Sequence, residues 1–125
     1  MQKHSDWLVI AADDLAVAKI LAHTHHTRAS GFHAQQCAEK TLKGFLAFKK
    51  HPIQKTHDLV VLVKFCMKFD IYFEELLIVA AELTPLISEG RYPDDNFDKP
   101  NNDGIVIAIQ QAEYIFDFTS KRFRT

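Results

Sequence analysis

The chain has 125 residues, 47% of them hydrophobic and 25% charged, the composition of one ordinary soluble globular domain with enough surface to bury that it needs neither disulfides nor metal to fold. Fifteen basic and 16 acidic residues leave a formal charge of −1, which argues against strong non-specific nucleic-acid binding while allowing a local basic stripe to hold one phosphate. Four glycines and four prolines argue against collagen, disorder and loop-rich sandwiches.

Hydrophobic period makes the chain helical throughout. Over 6–23, apolar residues recur at Leu8, Ala11, Leu15, Ala18 and Ala22, with Ser5 as the expected N-cap and Asp6, Asp13 and Asp14 in the half where the helix dipole favours negative charge. A polar connection, His23-Thr24-His25-His26-Thr27, ends this helix. A second helix is expected from Ser30, its cap, to about Lys49, closed by His51-Pro52. Ala34, Cys37, Ala38, Thr41, Phe45 and Phe48 fall on its inner side, and His33, Gln36, Lys40 and Lys43 on the opposite one. Thr56 is the expected cap of a third helix that turns Leu59, Leu62, Val63 and Cys66 inward. Asp70 caps a fourth, which carries Phe73, Leu76, Leu77, Ala80 and Ala81 to about Thr84-Pro85, and 86–89 can add a further turn. The pattern stops over 90–103, a connection longer than the usual 2–8 residues and so a candidate functional loop. Asp103 caps the last helix, with Ile105, Ala108, Ile109, Ala112 and Phe116 inward and a basic ending that suits its dipole. The expected fold is all-α: a single domain over 1–125, an antiparallel up-and-down bundle of four to five helices.

Nothing points to a membrane or an oxidising compartment. Residues 1–4 have no apolar core before a cleavage site, and charge breaks every apolar run before the roughly 18 residues of a span. A cytoplasmic protein is expected. Cys37 and Cys66 have no CxxC partner, so two small buried thiols are expected in place of a disulfide or zinc site. His23, His25 and His26 lack the partner ligands and spacing of a metal site, and no phosphate-binding or nucleophile motif requires a cofactor.

The segment Phe32-His33-Ala34-Gln35-Gln36-Cys37-Ala38-Glu39-Lys40-Thr41-Leu42-Lys43 carries the most chemistry. His33, Gln36 and Lys40 stand three and four residues apart, in mutual reach, and offer an imidazole, an amide and an ammonium suited to a phosphate or a base edge. The plain alternative is a solvated helix face with Glu39–Lys43 as an i,i+4 pair. Thr56 and His57, beside Lys55, stand at a helix start where free N–H groups can accept an anion. Arg91, Tyr92 and Asp94 can give a guanidinium for phosphate, a ring for stacking and a carboxylate for a ribose, or form a salt bridge that pins the loop.

Trp7-Leu8, Asp13-Asp14-Leu15, the string FHAQQCAEKTLKGFL, Lys55-Thr56-His57-Asp58-Leu59 and Arg91-Tyr92-Pro93-Asp94 follow one another in an order that resembles a HEPN domain, over nearly the whole chain. Cys37 stands where alanine is more usual, a small-for-small change. The resemblance implies a helical bundle, frequent homodimerisation, a nucleotide or RNA ligand and a nucleotidyltransferase partner. Many relatives in that family are RNases, often toxins, that use an Arg, four to six residues, then a His. Arg28 and His33 meet the spacing, but at the start of the second helix, whereas the family's pair lies late in the bundle. No His follows Arg91, Arg122 or Arg124. The leading expectation is therefore a non-catalytic accessory module that binds through His33, Gln36, Lys40, Thr56, His57, Arg91, Tyr92 and Asp94, with the 90–103 loop over the second helix. The alternatives are an RNase toxin working through His33 and Arg28 with no metal, and a purely structural interaction module.

Overall fold

Residues 4–86 and 101–123 are described by the computed structural model. They form five α-helices, α1 (His4–Leu21), α2 (Thr27–Phe48), α3 (Leu59–Met67), α4 (Leu77–Leu83) and α5 (Asn102–Ser120), with a 3₁₀ helix (Ile71–Leu76) leading into α4 and no strand among the described residues. α2 is the central element and touches each of the other four helices.

Small residues bring α1 and α2 together as an antiparallel hairpin. A Cβ on Gly44 would lie 2.7 Å from Trp7 Cβ, so only a hydrogen fits where the helices cross. At the other end of the pair, Ser30 is buried and its hydroxyl donates to Ala18 O at 2.7 Å. Ser30 is thus an internal residue and does not cap α2, which begins three residues earlier at Thr27 without a side-chain cap. Ser5 likewise lies within α1 and not ahead of it.

Lys50 closes α2 before His51-Pro52 is reached. Its φ is 59°, the left-handed region, while Lys50 N–H bonds Ala47 O and His51 N–H bonds Leu46 O, both at 2.9 Å. These are the paired 6→1 and 5→2 hydrogen bonds of a Schellman ending, with lysine where glycine is usual.

The third helix starts at Leu59. Its cap is Asp58, whose side chain accepts from Val60 N–H and Val61 N–H, whereas the Thr56 hydroxyl accepts from Asp58 N–H at 3.0 Å one step earlier. Asp70 caps as expected, accepting from Tyr72 N–H, but what it opens is the 3₁₀ helix. Phe73 and Leu76, three residues apart, share the buried side of that turn. In α4 it is Ala80 and Leu83 that are buried, with Ala81 exposed. α5 is capped by Asn101, which accepts from Gly104 N–H at 2.7 Å, so Asp103 lies in its first turn.

The 3₁₀ helix and α4 run antiparallel to α5, as Arg122–Asp70, Phe118–Phe73, Tyr114–Glu75 and Gln111–Glu82 contacts succeed one another. Buried apolar residues from all five helices form one cluster. Phe45, Phe73 and Phe118 link α2, the 3₁₀ helix and α5, with ring centroids 4.6 and 5.2 Å apart. Cys37 and Cys66 are both buried and unpaired in this core. Burial pushes the Cys37 thiol up to about 12 and raises that of Cys66 as well.

Candidate functional site

Helical spacing sets His33, Gln36, Lys40 and Lys43 along one side of α2, but that side is not an open ridge. Gln36 and Lys43 are buried, as are the neighbouring Gln35 and Glu39. His57, ahead of α3, lies against this side. Gln35 Nε2 donates to His57 O at 3.1 Å, and His57 Nδ1 donates to Glu39 Oε1 at 2.9 Å.

Glu39 is the hub. Its other oxygen accepts from Lys43 Nζ at 3.0 Å, and Gln36 Nε2 reaches Oε1 at 3.3 Å. Burial pushes the Glu39 carboxyl up, but the hydrogen bonds and charges of His57 and Lys43 outweigh it and hold the group below its ordinary value. Gln36 is fully engaged: Nε2 also donates to Gln35 Oε1 at 2.8 Å, and Oε1 accepts from Lys40 Nζ at 2.8 Å.

His33 turns the other way. Its Nδ1 donates to Asp14 Oδ1 at 2.9 Å, tying α2 to α1, and the pair is largely shielded. The imidazole, amide and ammonium read from the sequence as one grip are thus split, with Gln36 and Lys40 joined to each other and His33 joined to Asp14. The structure instead brings Gln36, Lys40, Glu39, Lys43 and His57 into one connected polar cluster.

Two members of this cluster reach outward. The His57 ring is 55% exposed, and with Nδ1 committed to Glu39, Nε2 is the nitrogen left for an outside partner. Lys40 is half-buried and directs one donor to Gln36, which leaves an ammonium with two further hydrogens at the rim. Thr56, half-buried, precedes His57 in the chain and has its hydroxyl oxygen on the Asp58 amide. Arg28 is in the first turn of α2, five residues before His33 and so about 140° round the helix from it. Arg91, Tyr92 and Asp94 lie outside the described residues, as does most of the 90–103 loop.

Glu39 and Asp14 are the residues that sequence reasoning undervalued. Glu39 was legible only as half of an i,i+4 pair with Lys43, and Asp14 only as one of two adjacent acids. Their histidine partners are 18 and 19 residues away, which no local spacing reveals. Among the described residues, no group of three or more His, Cys, Asp or Glu side chains is gathered so as to hold a metal ion, and no helix is long and apolar enough to cross a membrane.

The sequence profile of the HEPN domain matches residues 4–122. This chain belongs to the HEPN family. A protein of Methanocaldococcus jannaschii named "Putative toxin MJ1304" is 33% identical over 96 residues, which are 70% of this chain and 61% of that protein, so the chain spans about three-fifths of that relative's length. Two solved structures share the fold. One is ST0689, described as an archaeal HEPN homologue, with a TM-score of 0.81 at 22% identity over 99% of this chain and 100% of the other. The second is TT1696 from Thermus thermophilus, with a TM-score of 0.82 at 24% identity over 97% and 98%. HEPN membership agrees with the helical order, and the central helix of this HEPN chain is the one that carries the polar cluster.

Proposed function

We propose that this HEPN chain is a nucleotide- or nucleic-acid-binding accessory module, working as a homodimer beside a nucleotidyltransferase partner. Lys40 and His57 are its ligand-facing groups, backed by Gln36 and Thr56. The observation that carries this reading is the buried Glu39 carboxylate: it serves no apolar core, and its two oxygens orient Lys43 and an outward imidazole. A buried acid held ionised by such partners is costly to keep for packing alone. A preorganised ammonium suits a phosphate, and an imidazole nitrogen held in one orientation beside it suits a base edge.

Calorimetric titration with ATP, GTP and a short single-stranded RNA tests this. Wild type is expected to bind one or more of them. Lys40→Ala should weaken that binding about tenfold, the loss of one charge-assisted hydrogen bond. No heat from any of the three ligands would defeat the reading.

A second reading, an RNase toxin, draws on the name of the M. jannaschii relative and on the His33–Asp14 pair. A carboxylate that fixes the imidazole tautomer is what a general base for a ribose 2′-hydroxyl requires. Arg28, or Lys40 two turns along the helix, would supply the cation. Growth arrest on induced expression that His33→Ala relieves favours this reading; unharmed cells with intact RNA oppose it.

A further inference from the structure

At the end of the bundle where α2, α3 and α5 finish, Phe45, Lys49, Phe69, Asp70, Lys121 and Arg122 line an open cleft of about 380 Å³, within the size range of small-molecule sites. Three of these side chains are cations and one is a carboxylate, and the carboxylate is already engaged. Asp70 Oδ1 accepts from Tyr72 N–H, and Oδ2 accepts from Arg122 Nε at 3.0 Å.

Arg122 is held in place before any ligand arrives. Its Nη1 donates to Phe118 O at 2.9 Å, and the guanidinium carbon stacks 3.6 Å from the Phe118 ring centroid. That leaves Nη2 as the donor group for a ligand. Lys49 lies 5.7 and 5.5 Å from the Phe45 and Phe48 centroids. Neither Lys49 nor Lys121 has a carboxylate within ion-pair distance among the described residues. As the C-cap residues of α2 and α5, both lysines complement a helix dipole. Dipole complementation explains one cation at each helix end. The fold brings both to one place, because α2 and α5 finish at the same end of the bundle, and with the clamped arginine they set three cations against one carboxylate in a cleft beside Phe69, a ring left 42% exposed.

We infer that this cleft is an anion site for a phosphate monoester carried on a planar base, as in a nucleoside monophosphate or a 5′-phosphorylated RNA end. The phosphate sits among Arg122, Lys49 and Lys121, and the base lies against Phe69. The site is distinct from the Glu39 cluster. Lys49 is nine residues beyond Lys40, about 13 Å along α2 and half a turn round it, so the inference does not depend on the reading of Lys40 and His57.

Amide chemical-shift titrations of the ¹⁵N-labelled protein at low salt test it, using AMP, inorganic phosphate, and oligouridylates with 5′-phosphate or 5′-hydroxyl ends. AMP should shift the Lys49, Phe69, Lys121 and Arg122 amides saturably. Lys49→Ala/Lys121→Ala should weaken AMP about tenfold or more, with circular dichroism melting confirming that the variant folds. Phe69→Ala should weaken AMP and leave inorganic phosphate unchanged. Tighter binding of the 5′-phosphorylated oligonucleotide than of AMP assigns the site to an RNA end, and no gain from the chain assigns it to free nucleotide. The inference is overturned if these amides stay unmoved at about 10 mM AMP, weaker than any useful site, or if the double variant binds AMP like wild type. Shifts confined to Lys40 and His57 would also overturn it while supporting the function proposed above.

Discussion

The Glu39 carboxylate accepts from Lys43 through one oxygen and from His57 through the other, and the Glu39 and Lys43 side chains are both nearly closed to water. Removing a single partner of a buried pair leaves a charge without compensation, whereas removing both restores an apolar contact. Lys43→Met is therefore expected to cost about 2–3 kcal/mol in urea unfolding, below the full penalty because His57 still donates to Glu39. Glu39→Leu combined with Lys43→Met should recover most of that loss. A Lys43→Met stability within about 0.5 kcal/mol of wild type would show the pair to be inconsequential. The pH dependence has a definite sign. Glu39 binds its proton less tightly in the folded chain than in the unfolded one. Its contribution is full above the ordinary glutamate value of about 4.3 and fades as pH falls through the lowered folded value. Glu39→Gln should lose that part of the acid slope.

At the scale of the helices, existence was legible and boundaries were not. Periods of apolar residues located all five helices and the inward residues Ala11, Leu62, Ala80 and Ala112, because burial on one face forces a 3.6-residue repeat. Asp70 is a cap as its sequence position implies, but near the other starts several residues of the right chemistry compete. Ser30 has a buried carbonyl partner on α1, so packing draws α2 past it to Thr27, and Asp58 displaces Thr56 by reaching two amides at once. The 3₁₀ stretch was invisible because Phe73 and Leu76 suit either helix type. Nothing in a lysine announces the positive φ of Lys50. There the left-handed backbone costs roughly 1–2 kcal/mol that glycine avoids. Lys50→Gly should raise stability by about 1 kcal/mol, less any loss of helix-end charge, seen as a higher melting temperature with unchanged helicity. A lower melting temperature would mean that the lysine side chain stabilises the helix end by more than its backbone strain costs.

Across the whole molecule, what decides accessibility is which segments cover which faces, and that is where the sequence was least informative. Helical spacing puts the row on one side of α2, but the contacts of His57 with that side span 18 to 22 residues, which no local spacing carries. The Lys49–Arg122 cleft needed contacts longer still, 52 residues between Asp70 and Arg122. Central position has a measurable consequence. α2 touches every other helix, and Leu42, Phe45 and Leu46 are almost wholly closed to water, so its middle turns cannot open without breaking the shared core. The 3₁₀ helix has Ile71, Tyr72, Glu74 and Glu75 exposed and only Phe73 and Leu76 inside. In native-state hydrogen exchange, the α2 amides over 37–46 should exchange only through global unfolding, with the free energy measured by denaturant. Amides over 71–76 should exchange through local opening, at least about tenfold faster. Exchange of the α2 amides at a free energy well below the global value would mean that the bundle opens around its central helix, and the rigid Glu39 hub would then lose its frame.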